Sequence, residues 1–195
     1  MDKVLSVIDY GVCLFSLNVL QEFLEKEKVR SKKLLINFQK NHNRYLKMVE
    51  SGIWLPFLPI DSGEYLIKIE GYEQHFNDEW EEKMAYNKFN IAIKDGIWVT
   101  SLSHFNIFDK DKYMENKVSY QTLDGETWYS GFKYDVSSGK YLVSIKGFAR
   151  KQVLDYPNPN YGFLFSLVRV DEFDGFNDPR EDEMYNFNMT ISDEK

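Results

Sequence analysis

From residue 62 onward, apolar and polar positions alternate in short runs, the two-residue period of a half-buried strand. The clearest run, Ser62-Gly63-Glu64-Tyr65-Leu66-Ile67-Lys68-Ile69-Glu70-Gly71-Tyr72, returns as Ser138-Gly139-Lys140-Tyr141-Leu142-Val143-Ser144-Ile145-Lys146-Gly147-Phe148 with six of eleven positions identical. In each copy a Ser-Gly turn feeds a strand that sends Tyr, Ile or Val, and Ile to one face. A tryptophan precedes each copy (Trp54, Trp128), and an apolar run follows each (Phe89–Ile93, Phe163–Leu167). Duplication and the chance recurrence of a common strand-start signal both account for this pattern, and two copies do not make a repeat array.

The N-terminal third has a different period. Lys3–Ile8 predicts a strand that Gly11 breaks. Leu17, Leu20, Phe23 and Leu24 then recur at helical spacing, with Asn18 and Gln21 placed to cap. A second helix is predicted over Ser31–Glu50 on the stripe Leu34, Leu35, Phe38, Tyr45, Leu46 and Val49, interrupted at Asn41 and His42 and stopped by Gly52. Pro56 and Pro59 confine Ile53–Ile60 to an edge or a connector. Phe89–Ser101 alternates on both sides of Asp95-Gly96, which predicts a hairpin with a tight turn; Leu123–Glu126 predicts another. Gly162–Val170 reads as a long strand, and Tyr185, Phe187, Met189 and Ile191 as a closing one. Acidic loops fall at Glu70–Lys83 and Asp171–Glu183.

These elements predict a mainly β, α+β chain: an antiparallel β-sandwich of two halves, with an N-terminal helical segment. Residues 1–52 supply a strand and a helix pair packed on the body, and 53–195 the sandwich, as one structural domain. Either half alone would be about 70 residues and bury too little surface, so both must share a core.

Composition sharpens this picture. The aromatic content (Tyr 13, Phe 15, Trp 4) suits pleated, buried surfaces and argues against disorder. A single cysteine, Cys13, excludes an internal disulfide and fits a reducing compartment; its neighbours Leu14 and Phe15 make it a buried thiol. No run approaches the roughly 20 apolar residues that span a bilayer, and Val4–Leu20 carries no secretion cleavage site, so the expectation is a cytoplasmic protein without a membrane partner. The net charge of −7 divides into +3 over residues 1–50 and −10 beyond them. An acidic body repels nucleic-acid phosphates and attracts a basic protein. The lysines and arginines of the helix pair alternate with Glu22, Glu25, Glu27 and Glu50, as on a solvated face.

The chain holds no phosphate-binding glycine loop, no His-Glu-x-x-His and no Gly-x-Ser-x-Gly. His42, His75 and His104 lie far apart and read as surface or rim residues; catalysis would need two or more of His75, His104, Asp109 and Asp111 to meet in one pocket. Asp171–Asp178 has oxygen ligands but not the spacing of a calcium loop, so no metal, cofactor or catalytic residue is predicted. The notable feature is aromatic residues set in acid. Glu79, Trp80 and Glu82, with Asp171, Phe173, Asp174, Phe176 and Asp178, form the candidate partner-binding set, because an aromatic anchor ringed by charge builds a steered interface. The competing reading tucks these rings into the core. A second functional class, a ligand- or carbohydrate-binding module, would use Trp98, Trp128 and Tyr129 on a concave sheet.

The run Phe89-x-Ile91-x-Ile93-x-Asp95-Gly96-Ile97-x-Val99-x-Ser101, followed by Asp135-Val136-x-x-Gly139-x-Tyr141-x-Val143, resembles the β-core of bacterial competence-type nuclease inhibitors and of some polymorphic-toxin immunity proteins, over residues 86–150. That resemblance implies a small cytoplasmic protein that binds a toxin or nuclease and blocks it, with no chemistry of its own.

Overall fold

A computed structural model describes residues 2–8, 11–181 and 184–190. In chain order they form β1 (Lys3–Val7), β2 (Val12–Phe15), α1 (Leu17–Lys26), α2 (Leu34–Lys40), α3 (His42–Glu50), β3 (Trp54–Phe57), β4 (Gly63–Ile69), β5 (Trp80–Ile93), β6 (Ile97–Ser101), β7 (Lys117–Gln121), β8 (Thr127–Tyr134), β9 (Gly139–Arg150) and β10 (Tyr161–Val170). The chain is mainly β, with two sheets of five strands ordered β1-β4-β10-β9-β5 and β3-β2-β6-β8-β7. Every pairing is antiparallel except β4 with β10.

One hydrophobic cluster draws on both sheets: Leu5, Ile67, Ile91, Val143 and Phe163 from the first, Leu14, Phe57, Val99 and Tyr134 from the second. Phe57 meets Phe163 edge to face, with centroids 5.4 Å apart. Strand alternation gives the second sheet another apolar face. Cys13, Phe15, Trp54 and Trp98 cluster there with Leu20, Phe23, Phe38, Tyr45 and Val49 of the helices. Each large side chain so buried stabilises by roughly 1.5–3 kcal/mol, which makes these two clusters the main source of cohesion.

The two repeat copies become β4 and β9 in the same sheet. Tyr65 donates its phenol hydrogen to the carbonyl of Asp61, and Tyr141 to that of Ser137, each over four residues and 2.8 Å. Their pairings differ, since β10 runs parallel to β4 and antiparallel to β9.

Four local expectations are corrected. The Asp95-Gly96 turn does not close a hairpin: β5 and β6 enter different sheets, and the turn carries the chain across between them. A tight turn and alternation on both sides fit either geometry, because in both cases Ile91, Ile93, Ile97 and Val99 reach one core. The helix predicted over Ser31–Glu50 is two helices. Asn41, where the stripe breaks, ends α2 and caps α3, its Oδ1 accepting from the Arg44 amide at 3.1 Å. Ser16 rather than Asn18 occupies the N-cap of α1, and the Asn18 amide donates to the Asp95 carboxylate. Residues 184–190 form no strand, although Tyr185, Phe187 and Met189 are buried in the shared core; Ile191 lies outside the described residues. The edge predicted from Pro56 is observed, as β3 flanks the second sheet.

Candidate functional site

The eight predicted partner-binding residues separate into two groups. Trp80 is not an exposed loop anchor. It opens β5, is 8% exposed, and packs against Phe76 at 4.8 Å with the Arg150 guanidinium 4.5 Å above its ring. Glu79 pairs with Arg150 at 3.1 Å and Glu82 with Lys146 at 3.0 Å, so local cations answer both charges. The reason is cross-strand register: Trp80 lies opposite Arg150, and Glu82 opposite Phe148, on β9.

The second group lies on the loop after β10. Asp171, Asp174 and Phe176 are exposed, with Phe176 at 38%, and Glu172 joins them. The loop is braced from below. Asn90 on β5 donates from Nδ2 to the carbonyls of Gly175 and Glu50, both at 2.9 Å. Asn177 donates to the Asn87 carbonyl at 3.1 Å. The Asp178 carboxylate accepts from the Tyr45 hydroxyl and from the Arg180 amide, and the Arg180 guanidinium lies 3.6 Å from the Tyr45 ring centroid. Burial and the Asp178 charge hold the Tyr45 phenol protonated well above its ordinary range. Lys140 stands 5.6 Å from the half-buried Phe173 ring. Asp178 and Phe173 therefore fasten the loop, while Asp171, Asp174 and Phe176 are presented to solvent. Asp182 and Glu183 lie outside the described residues.

Asn90, Asn177 and Tyr45 do the fastening, and sequence reading missed them. Tyr45 counted as part of an apolar stripe. Asn90 stands at an outward position of β5 with no neighbouring signal, because its partners lie 40 and 85 residues away.

The groups weighed for catalysis are scattered more widely. His75 is exposed and lies 3.4 Å from Glu70. His104 is half-buried on the wall of an open cavity: its Nε2 bonds the buried Ser130 hydroxyl at 2.9 Å, and burial lowers its pKa to about 4, so the imidazole is neutral. His104 and Asp111 line one open cavity of about 660 Å³, but no hydrogen bond joins them among the described residues, and Asp109 caps the turn at the Asp111 amide. Cys13 is buried against Thr100, and burial pushes its thiol up to about 12, the state of an inert side chain. Among the described residues no group of His, Cys, Asp and Glu is arranged to hold a metal ion, and no helix is long and apolar enough to cross a membrane. Trp98 is fully buried, which removes it from the predicted ligand-binding face.

Comparisons of the chain with protein-family models, with curated proteins and with solved structures give no match.

Proposed function

We propose that this chain is a non-catalytic, immunity-type inhibitor that binds and neutralises a basic toxin or nuclease in the cytoplasm. The two sheets, read as a sandwich about their shared core, serve as a rigid frame for the loop that follows β10. The observation that carries this reading is the bracing of that loop. Held at Gly175, Asn177 and Asp178, it offers Phe176 within a rim of Asp171, Glu172 and Asp174. A loop already ordered before binding loses little entropy on docking, and acid around an apolar anchor steers a basic partner into register. The net charge of the chain beyond residue 50 adds long-range attraction of the same sign.

The test is pull-down and calorimetry with the product of the neighbouring gene. Binding should weaken as salt rises, and both the double reversal Asp171→Lys with Asp174→Lys and the single change Phe176→Ala should weaken it by about tenfold or more. A neutral partner, or affinity untouched by the charge reversal, would overturn the reading.

A further inference from the structure

Where the edge strand β1 approaches β8, two adjoining cavities of about 330 and 500 Å³ share Glu64, Trp128 and Tyr156. The charged side chains that line them are Asp2, Glu64 and Glu126, with no lysine or arginine among the described residues. Lys117, which lies over the Tyr129 ring, lines the separate His104 cavity.

The charge of the lining is one-sided. Ser6, opposite Glu64 in the β1–β4 register, donates to Glu64 Oε1 at 2.7 Å. Trp128 Nε1 and the Tyr156 hydroxyl both donate to Glu126 Oε2, at 3.2 and 2.8 Å. Asn160, also in the lining, uses both its oxygen and its nitrogen on the backbone of Leu154. Ser62, Thr127, Tyr129 and Tyr161 add hydroxyl groups to the lining. Acceptor capacity remains, because Glu64 Oε2 and Glu126 Oε1 have no protein partner among the described residues. The walls are aromatic, with Trp128 beside Tyr120 at 6.2 Å and Tyr156 and Tyr161 completing the cleft.

A site with aromatic faces, free carboxylate oxygens and no cation of its own fits a flat cation that only donates. A guanidinium has five N–H donors and no acceptor, stacks on aromatic rings, and forks onto carboxylates. A neutral sugar would leave the charge of these carboxylates unanswered. We infer that this cleft binds an arginine side chain, presented by the basic partner, between Trp128 and Glu64. The inference rests on the partner's being basic, as proposed above, but uses a different surface from the loop after β10.

The probe is N-acetylarginine amide titrated into the ¹⁵N-labelled chain, read at the indole N–H of Trp128 and assigned with Trp128→Phe. Saturable shifts are expected at Trp128, with the indole signals of the buried Trp54 and Trp98 unmoved. N-acetylcitrulline amide, of the same shape but uncharged, should bind about tenfold more weakly or not at all, and Glu64→Gln should weaken the arginine probe by a similar factor. Absence of a saturable shift, equal binding of the citrulline compound, or full affinity in Glu64→Gln would overturn the inference. The probe needs no partner protein, so its failure leaves the loop-based reading standing. Failure of the pull-down with intact probe binding would sink the loop-based reading and that partner as the source of the arginine, and would leave the arginine-binding cleft standing.

Discussion

His104 illustrates how far a side chain's neighbours decide its behaviour. Its half-buried ring bonds Ser130 and is kept neutral, with a pKa of about 4 in the folded chain against 6.5 for a free imidazole. Between those values the unfolded chain binds a proton that the folded chain does not. Stability therefore falls as pH drops through this window, by at most about 1.4 kcal/mol per unit, and the contribution is exhausted below about pH 4. Glu64 acts in the opposite sense: burial raises its pKa, so its contribution is present at low pH and is lost as pH rises through the folded value. Urea unfolding of the native chain and of His104→Gln, each followed across this pH range, isolates the histidine. The variant should show the flatter profile, and parallel profiles would contradict the assignment. Nothing local in Leu102–Phe105, a single 3-10 turn, announces this contact, since Ser130 arrives from β8.

At the scale of elements, Gly96 and Gly125 occupy turns that look alike in sequence. Both have positive φ, +89° and +88°. A Cβ at Gly96 would stand 2.6 Å from the Tyr134 carbonyl oxygen, whereas one at Gly125 meets nothing within 4 Å. The first turn crosses between sheets against β8; the second closes an exposed hairpin. Gly125→Ala should cost about 1–2 kcal/mol, the backbone term alone, and Gly96→Ala clearly more because a carbonyl must also move. Thermal unfolding of both variants compares them directly, and equal losses would show that the crossing turn is not tightly packed. Local residue types marked both turns correctly. Whether the flanking strands pair with each other was not legible, because pairing depends on which strand lies alongside. The polar interruption at Asn41 was visible in the stripe, but one helix was predicted across it, whereas Asn41 ends the first helix and caps the next.

For the molecule as a whole, the segment 184–190 matters more than its irregular backbone implies. Phe187 is fully buried, 5.3 Å from both Phe57 and Tyr86, so it touches rings from either sheet. Phe187→Ala should cost about 3–5 kcal/mol, as for a large ring removed from a packed core, and urea denaturation measures it directly. A loss below about 1 kcal/mol would mean that this segment lies on the core rather than in it. Alternation at Tyr185, Phe187 and Met189 located the buried face, but it could not supply a neighbouring strand, and a strand without a partner is not one. The same limit governed the site. Asp171, Asp174 and Phe176 were found as exposed residues because composition marks an acidic loop, while Trp80 was misplaced because its burial depends on Arg150 from β9 and on Phe76. By itself the sequence determined the β-rich character, the helical N-terminal part, the turn positions and which side of most strands is apolar, all of which follow from local period and residue type. The order of strands in each sheet, the crossing at Asp95-Gly96, the bracing of the acidic loop and the meeting of Glu64 with Trp128 were decided by tertiary structure alone. Each joins residues distant in the chain, and a local pattern carries no information about which distant segment will satisfy it.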